Sequence, residues 1–254
     1  MILNDRKVFP LHGIKFWAEK KDDLLIQLLS DLAGGESGLL VTPNLSFLYQ
    51  CGISPQLNEL IKNSRFITCD SKYIAFLNKL AFRTRLPVLT GSSLIYELLA
   101  LAEFKQIPIG VIGGALASEE IMQCLIKIYP KLSISFCYSD FIDENDSSAI
   151  REVATQIKET EARLVFVGLG FPKQEWISTR LLENGASGLY VNIGMGLNYL
   201  LKTQRRAPKV IQFFALEWLW RVFVEPKRLA RRYFLECLPE FMAQLRIALD
   251  WRIR

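Results

Sequence analysis

The chain holds one histidine, His12, in 254 residues. That argues against Ser-His-Asp or Cys-His nucleophilic chemistry and against a histidine-based zinc site. Any general base is therefore expected to be a carboxylate. Cysteine is sparse as well. Cys51, Cys69, Cys124, Cys137 and Cys237 form no CxxC pair, and an odd count in a chain of this size fits a reduced, cytoplasmic protein with structural thiols. No uncharged apolar run reaches the ~18 residues of a membrane-crossing helix. The first ten residues carry Asn4, Asp5, Arg6 and Lys7 in place of a signal peptide's apolar stretch. A soluble or peripheral protein is expected. Internal repeats and low-complexity tracts are missing too.

What is present is a large apolar fraction, 50% of the residues, enough for one sizeable α/β core with an appendage. Net charge is +5, unevenly spread. Lys202 and the residues after it include twelve Lys/Arg and five Asp/Glu, so the excess positive charge lies in the last fifth of the chain. Such asymmetry points to an anionic partner there: phosphate, lipid headgroup or nucleic acid.

Apolar, β-branched runs alternate with helical patterns. The strand candidates are 38–42, 65–69, 107–112, 132–138, 163–168 and 188–193. Helix candidates fall at 54–63, 71–82, 92–104, 118–129, 146–159 and 172–184. Regular βα alternation predicts an α/β, Rossmann-like, mostly parallel sheet with helices on both faces. Strand signals stop near Ala207. We therefore divide the chain into an α/β domain, 1–206, and a basic amphipathic helical appendage, 207–254, whose aromatics beside cations suit association with a membrane surface.

In such sheets ligands bind beyond the carboxyl ends of the strands, so the residues that follow each strand matter most. The first strand ends in Thr42-Pro43-Asn44, which on its own reads as a strand exit with a helix cap. The second ends in Cys69-Asp70-Ser71: Asp70 stands where a catalytic carboxylate would be placed, or else Asp70 or Ser71 caps the next helix. Gly113-Gly114 follows the third strand and permits close backbone approach. Gly168-Leu169-Gly170-Phe171-Pro172-Lys173 joins a strand to a helix N-terminus, a setting suited to anions, although a tight turn without a ligand is the competing reading. It is neither a dinucleotide fingerprint, whose third glycine is missing, nor a Walker A loop. Gly194-Met195-Gly196 repeats the theme. Three glycine-bearing turns on one sheet edge favour a ligand cleft.

Taken in order, these segments resemble the WecG/TagA/CpsF family of bacterial glycosyltransferases. The similarity runs from about Leu39 to Arg232. Its most specific parts are VGLGFPKQEW at 167–176, RRAP at 205–208 and LEWLWRVFVEPKRLARR at 216–232. Thr42-Pro43-Asn44, Asp70 and Thr90-Gly91-Ser92 support it. The resemblance implies a metal-independent, inverting enzyme without a cofactor, which uses a UDP-sugar donor and a polyprenyl-diphosphate-linked acceptor in cell-surface or exopolysaccharide synthesis. It implies Asp70 as the base, with Thr42, Asn44 and Gln174 beside it. It also implies substrate contacts from the glycine turns and from Arg206, Arg221, Arg228 and Arg231, the last three on the diphosphate, so that 1–206 is the nucleotide-sugar-binding catalytic domain and 207–254 completes its active site. Where the family usually has Asp-Gly this chain has Asp70-Ser71, and where it has an aspartate after the Gly-x-Gly turn this chain has Asn198. The Asp-Ser form is similar to the exopolysaccharide branch, some members of which transfer glucose, so glucose and N-acetylmannosamine both stand as donor sugars.

The expected setting is the cytoplasmic face of the cell membrane, with contact to its anionic surface and room for a homo-oligomer. A nucleic-acid partner is disfavoured, because the tail's aromatics lie in an apolar segment and do not interleave with its basic residues. A non-catalytic membrane-surface module is the remaining alternative. At ~100° per residue, Arg221, Arg228, Arg231 and Arg232 would share an arc if one helix ran through them, with Pro226 a candidate break.

Overall fold

The computed structural model describes residues 11–205, 207–208, 210–211 and 216–253, without the side chains of Arg228 and Ile253. Among the described residues six strands form one parallel sheet: β1 (Gly38–Val41), β2 (Phe66–Ile67), β3 (Ile109–Gly113), β4 (Ile134–Tyr138), β5 (Leu164–Gly168) and β6 (Leu189–Asn192). Their order is β2-β1-β6-β5-β3-β4, and every pairing is parallel. The strands are short and β-branched, and most of their side chains are buried, as a sheet covered on both faces requires. Alternation sorts those side chains. Leu39, Val41, Val165, Val167 and Tyr190 enter one core, while Leu40, Leu164, Phe166, Leu189 and Val191 enter the other.

The connections are helical. Between β1 and β2 lie α2 (Leu45–Ile53) and α3 (Pro55–Lys62); α4 (Lys72–Phe82) and α5 (Gly91–Lys105) lead on to β3. Then come α6 (Ser118–Ile128), α7 (Ser147–Lys158), α8 (Lys173–Glu183) and, after β6, the short α9 (Gly196–Leu200). Helix α1 (Lys21–Ala33) precedes β1. Sequence pattern alone missed α1, α2 and the five-residue α9. The N-cap residue of α1 is Lys20, whose own side chain makes no cap bond, and α2 is brief and carries no charged residue.

The C-terminal segment forms α10 (Glu217–Val224), α11 (Pro226–Arg231), a π-helical turn (Arg232–Cys237) and α12 (Leu238–Ile253). One helix does not run through Arg221 to Arg232. Glu225, with φ −133° and ψ 64°, separates α10 from α11, because a residue before proline is driven out of the helical region. The shared arginine arc therefore does not form. Helix α12 packs on α4 and α2, with Phe241, Leu245 and Ala248 joining the first core. Polar ties reinforce the docking. Glu240 bonds His12 at 2.9 Å, and the Ser46 hydroxyl donates to Glu236 at 2.9 Å. Among the described residues no helix is long and apolar enough to cross a membrane.

Candidate active site

The strand exits of β1, β2, β5 and β6 converge at the carboxyl edge of the sheet. Thr42 is buried, and its hydroxyl reaches the Asn192 carbonyl at 3.5 Å across the β1–β6 seam. Asn44 caps α2, its Oδ1 accepting the N–H groups of Ser46 at 3.1 Å and Phe47 at 3.4 Å. This is the task its residue type favours, and it leaves the amide nitrogen as a donor at the sheet edge. Thr90 caps α5 by accepting the Ser93 N–H at 3.2 Å. Gly91 lets that helix press onto the strand ends, where a Cβ would stand 3.1 Å from Ile193 Cα and 3.2 Å from the Thr42 hydroxyl.

Asp70 follows β2, and its N–H donates to the Pro43 carbonyl at 2.9 Å, binding the second strand exit to the first. Capping of α4 falls to Ser71, whose hydroxyl accepts the Ile74 N–H at 3.3 Å. The Asp70 carboxylate is thus not the helix cap. It is half-buried and lies within electrostatic reach of Arg221.

The glycines divide into two groups. A side chain at Gly113, Gly114, Gly168 or Gly196 would press on Gly168, Ile121, Leu197 or Ser92 respectively, so these four serve close packing between elements. Gly170 and Gly194 differ. Their φ is positive, at 81° and 51°, as it is at Gly113 and Gly114, but the space beside them is open. A Cβ on Gly170 would meet nothing within 4 Å, and one on Gly194 only the Gln174 amide, at 3.8 Å. Their N–H groups are already engaged. Gln174 Oε1 accepts from Gly170 at 3.2 Å and from Gly194 at 3.0 Å. One buried amide therefore staples two glycine turns together and shapes the backbone between them.

Behind that staple lies a polar network that sequence reading missed. Gln174 Nε2 donates to Glu175 Oε1 at 2.8 Å, Asn192 Nδ2 approaches the same oxygen at 3.4 Å, and Ser178 donates to Asn192 Oδ1 at 2.9 Å. All four residues are buried. Burial pushes the Glu175 carboxyl up to about 8 despite those donors, since desolvation disfavours the charged form. The only hint in the sequence was its place next to Gln174 in the first turn of α8, where a glutamate ordinarily serves the helix dipole at the surface.

Pro172 occupies the cap position of α8, after a cis Phe171–Pro172 peptide. Lys173 does not stand unengaged at the glycine turn. Its ammonium lies 3.8 Å from the centre of the Phe141 ring and 3.9 Å from the Glu144 carboxylate, both on the loop after β4. Phe171 stacks on Phe47 with ring centres 3.5 Å apart, which fixes the glycine-proline loop against α2.

The C-terminal helices bring Arg221 to this edge. Its Nε and Nη2 donate to the Tyr199 hydroxyl at 3.0 and 2.7 Å. Burial works against its charge, but the oxygens of Tyr199 and Tyr233 and the Asp70 carboxylate outweigh burial and leave its pKa above the ordinary value. Arg231 is exposed. Arg206, the Arg228 side chain, Phe213 and Phe214 lie outside the described residues. Burial pushes the thiols of Cys51 and Cys69 up to about 12, so they stay protonated and do not act as nucleophiles.

The site therefore offers a carboxylate and an arginine on two separately encoded segments, beside a stapled glycine edge. Such a pairing suits proton removal from a hydroxyl and charge stabilisation on a leaving phosphate. Comparison with known proteins finds glycosyltransferases. The chain is 27% identical over 212 residues to the N-acetylglucosaminyldiphosphoundecaprenol N-acetyl-beta-D-mannosaminyltransferase of Staphylococcus aureus (strain NCTC 8325 / PS 47), covering 81% of this chain and 78% of that protein. The same identity and coverage hold for the proteins of that name from strains COL and MRSA252. The profile of the Glycosyl transferase WecG/TagA/CpsF family matches residues 9–253. With its parallel sheet, Asp70 after β2 and the glycine-PKQE turn before α8, the chain belongs to the WecG/TagA/CpsF family of glycosyltransferases.

Proposed function

We propose that the enzyme transfers a hexosyl group, with inversion, from a UDP-sugar to a polyprenyl-diphosphate-linked saccharide at the inner face of the bacterial membrane, in cell-surface or exopolysaccharide synthesis. The observation that carries this reading is Asp70 at the sheet edge within reach of Arg221 from the C-terminal helices. Asp70 accepts the proton of the acceptor hydroxyl as that oxygen attacks the sugar's anomeric carbon. The bond to the diphosphate breaks on the opposite face, and the UDP leaves with its charge held by arginine. Arginine's planar fork suits a phosphate better than a lysine ammonium does. The relatives' names describe a polyprenyl-diphosphate acceptor of this chemical class and an N-acetylmannosaminyl donor.

Contact with the membrane falls to the C-terminal helices. Phe223, Val224, Phe234, Leu235, Leu238 and Met242 are exposed there, and Lys227 and Arg231 are exposed among them. Apolar and aromatic groups among cations suit the interface of an anionic bilayer.

The test is transfer to a synthetic polyprenyl-diphosphate-saccharide from a panel of UDP-sugars, with the product identified by mass. One sugar added per acceptor is expected, and the panel decides between glucose, N-acetylmannosamine and others. No product from any UDP-sugar would overturn the proposal.

A further inference from the structure

The hydrogen bonds described for Arg221 run to phenols, while the Asp70 carboxylate acts on it electrostatically. Tyr199, on α9, takes two of its N–H bonds on one hydroxyl oxygen, at 3.0 and 2.7 Å, and its ring centre is 5.7 Å from the guanidinium carbon. Tyr233, in the π-helical turn, bonds the same guanidinium. The Tyr233 ring is packed 5.6 Å from that of Trp218, whose indole N–H donates to the Tyr73 hydroxyl at 3.0 Å. Every link in this chain is a hydroxyl or an indole. A carboxylate in the place of Tyr199 would orient Arg221 but would also neutralise it. Phenols orient the fork without neutralising it, so beyond the pull of Asp70 its charge is left for an incoming anion.

The clamp joins two parts of the chain. Tyr199 belongs to the core, one helical turn after the Gly194–Gly196 bend, and its N–H donates to the Met195 carbonyl at 3.1 Å. Arg221 and Tyr233 belong to the C-terminal segment. Since the Tyr199 oxygen spends its acceptor capacity on two N–H groups of Arg221, its own proton is directed elsewhere.

We propose that Tyr199, supported by Tyr233, is a positioning residue that sets the Arg221 guanidinium for the leaving diphosphate, so that the arginine is aligned only when the C-terminal helices dock on α9. This rests on the reading that Arg221 serves the diphosphate.

The experiment measures transfer and thermal unfolding of the full-length enzyme as wild type, Tyr199→Phe, Tyr233→Phe, Arg221→Ala and Tyr199→Phe/Arg221→Ala. We expect Tyr199→Phe to lower kcat by ~10-fold or more while the donor KM changes by less than about 3-fold. Tyr233→Phe should act in the same direction, more weakly. In the Arg221→Ala background Tyr199→Phe should cost nothing further, because residues that act through one another are not additive. Wild-type kcat for Tyr199→Phe, or losses that multiply in the double variant, would overturn the clamp. If Arg221→Ala itself transfers at the wild-type rate, the diphosphate reading fails. The thermal cycle then decides the clamp separately: Tyr199–Arg221 coupling in Tm supports it and strict additivity refutes it. Should Tyr199→Phe fold poorly, Tyr233→Phe carries the same comparison.

Discussion

His12 and Glu240 meet at 2.9 Å although they come from opposite ends of the chain. Gln244 adds its amide to the same glutamate oxygen at 2.8 Å. The C-terminal helix is therefore tied to the segment that opens the described chain, and its apolar residues fill a core shared with α4. Truncation before Arg221 should abolish transfer, weaken binding to anionic vesicles and lower Tm, because the α4 surface loses Phe241, Leu245 and Ala248. Full-rate transfer by the truncated protein would show that these helices do not complete the site.

Asp70→Asn should cost ~10²–10⁴-fold in kcat, the usual range for loss of a general base. Folding should be unaffected, since Ser71 and not Asp70 caps α4. Near-normal transfer by the folded variant would assign the base elsewhere.

Gln174→Ala removes the acceptor shared by Gly170 and Gly194 and leaves Glu175 without its closest donor. A loss of about 1–3 kcal/mol in stability is expected for orphaning such buried groups, together with weaker UDP binding in titration calorimetry. Gly170→Val and Gly194→Val should weaken UDP as well, through backbone strain at positive φ. Unchanged UDP affinity in all three folded variants would make these turns purely structural.

Glu175 gives the fold a pH dependence. In the folded protein its carboxyl keeps a proton up to about 8, whereas the unfolded chain releases it near the ordinary 4.5. Between those values folding takes up a proton, so stability from this group falls as pH rises through the window and levels off beyond it. Glu175→Gln, neutral at every pH, should flatten that slope in urea midpoints measured from pH 5 to 9. An identical slope in the variant would place the titration on another group.

Thorough chelation should leave transfer unchanged, with arginine in the charge-stabilising role. Loss of activity restored by Mg²⁺ or Mn²⁺ would contradict this.

The sequence was most legible where one residue's environment is set by its near neighbours. Strand periodicity located all six strands, and the PKQE turn located the start of α8. Asn44 and Ser71 are caps, as residue type suggests. The placing of Asp70 within electrostatic reach of Arg221 is different in kind, because it depends on how the C-terminal helices dock and local pattern does not encode docking. Glu175 escaped notice for a related reason. An acid in a helix's first turn looks the same in sequence whether it faces water or, as here, is fully buried.

The sheet order carries a consequence for how the chain is made. β6, the last strand synthesised, lies between β1 and β5. Until it emerges, β1-β2 and β5-β3-β4 are two fragments, each with an open apolar edge and no partner. Closing the gap requires pairing across most of the chain length, the slow, non-local kind of step that leaves strand edges exposed to aggregation. Chains released before residue 192 are thus expected to depend on chaperones, and the cleft between β1, β6 and β5 comes into being only as that final strand slots in.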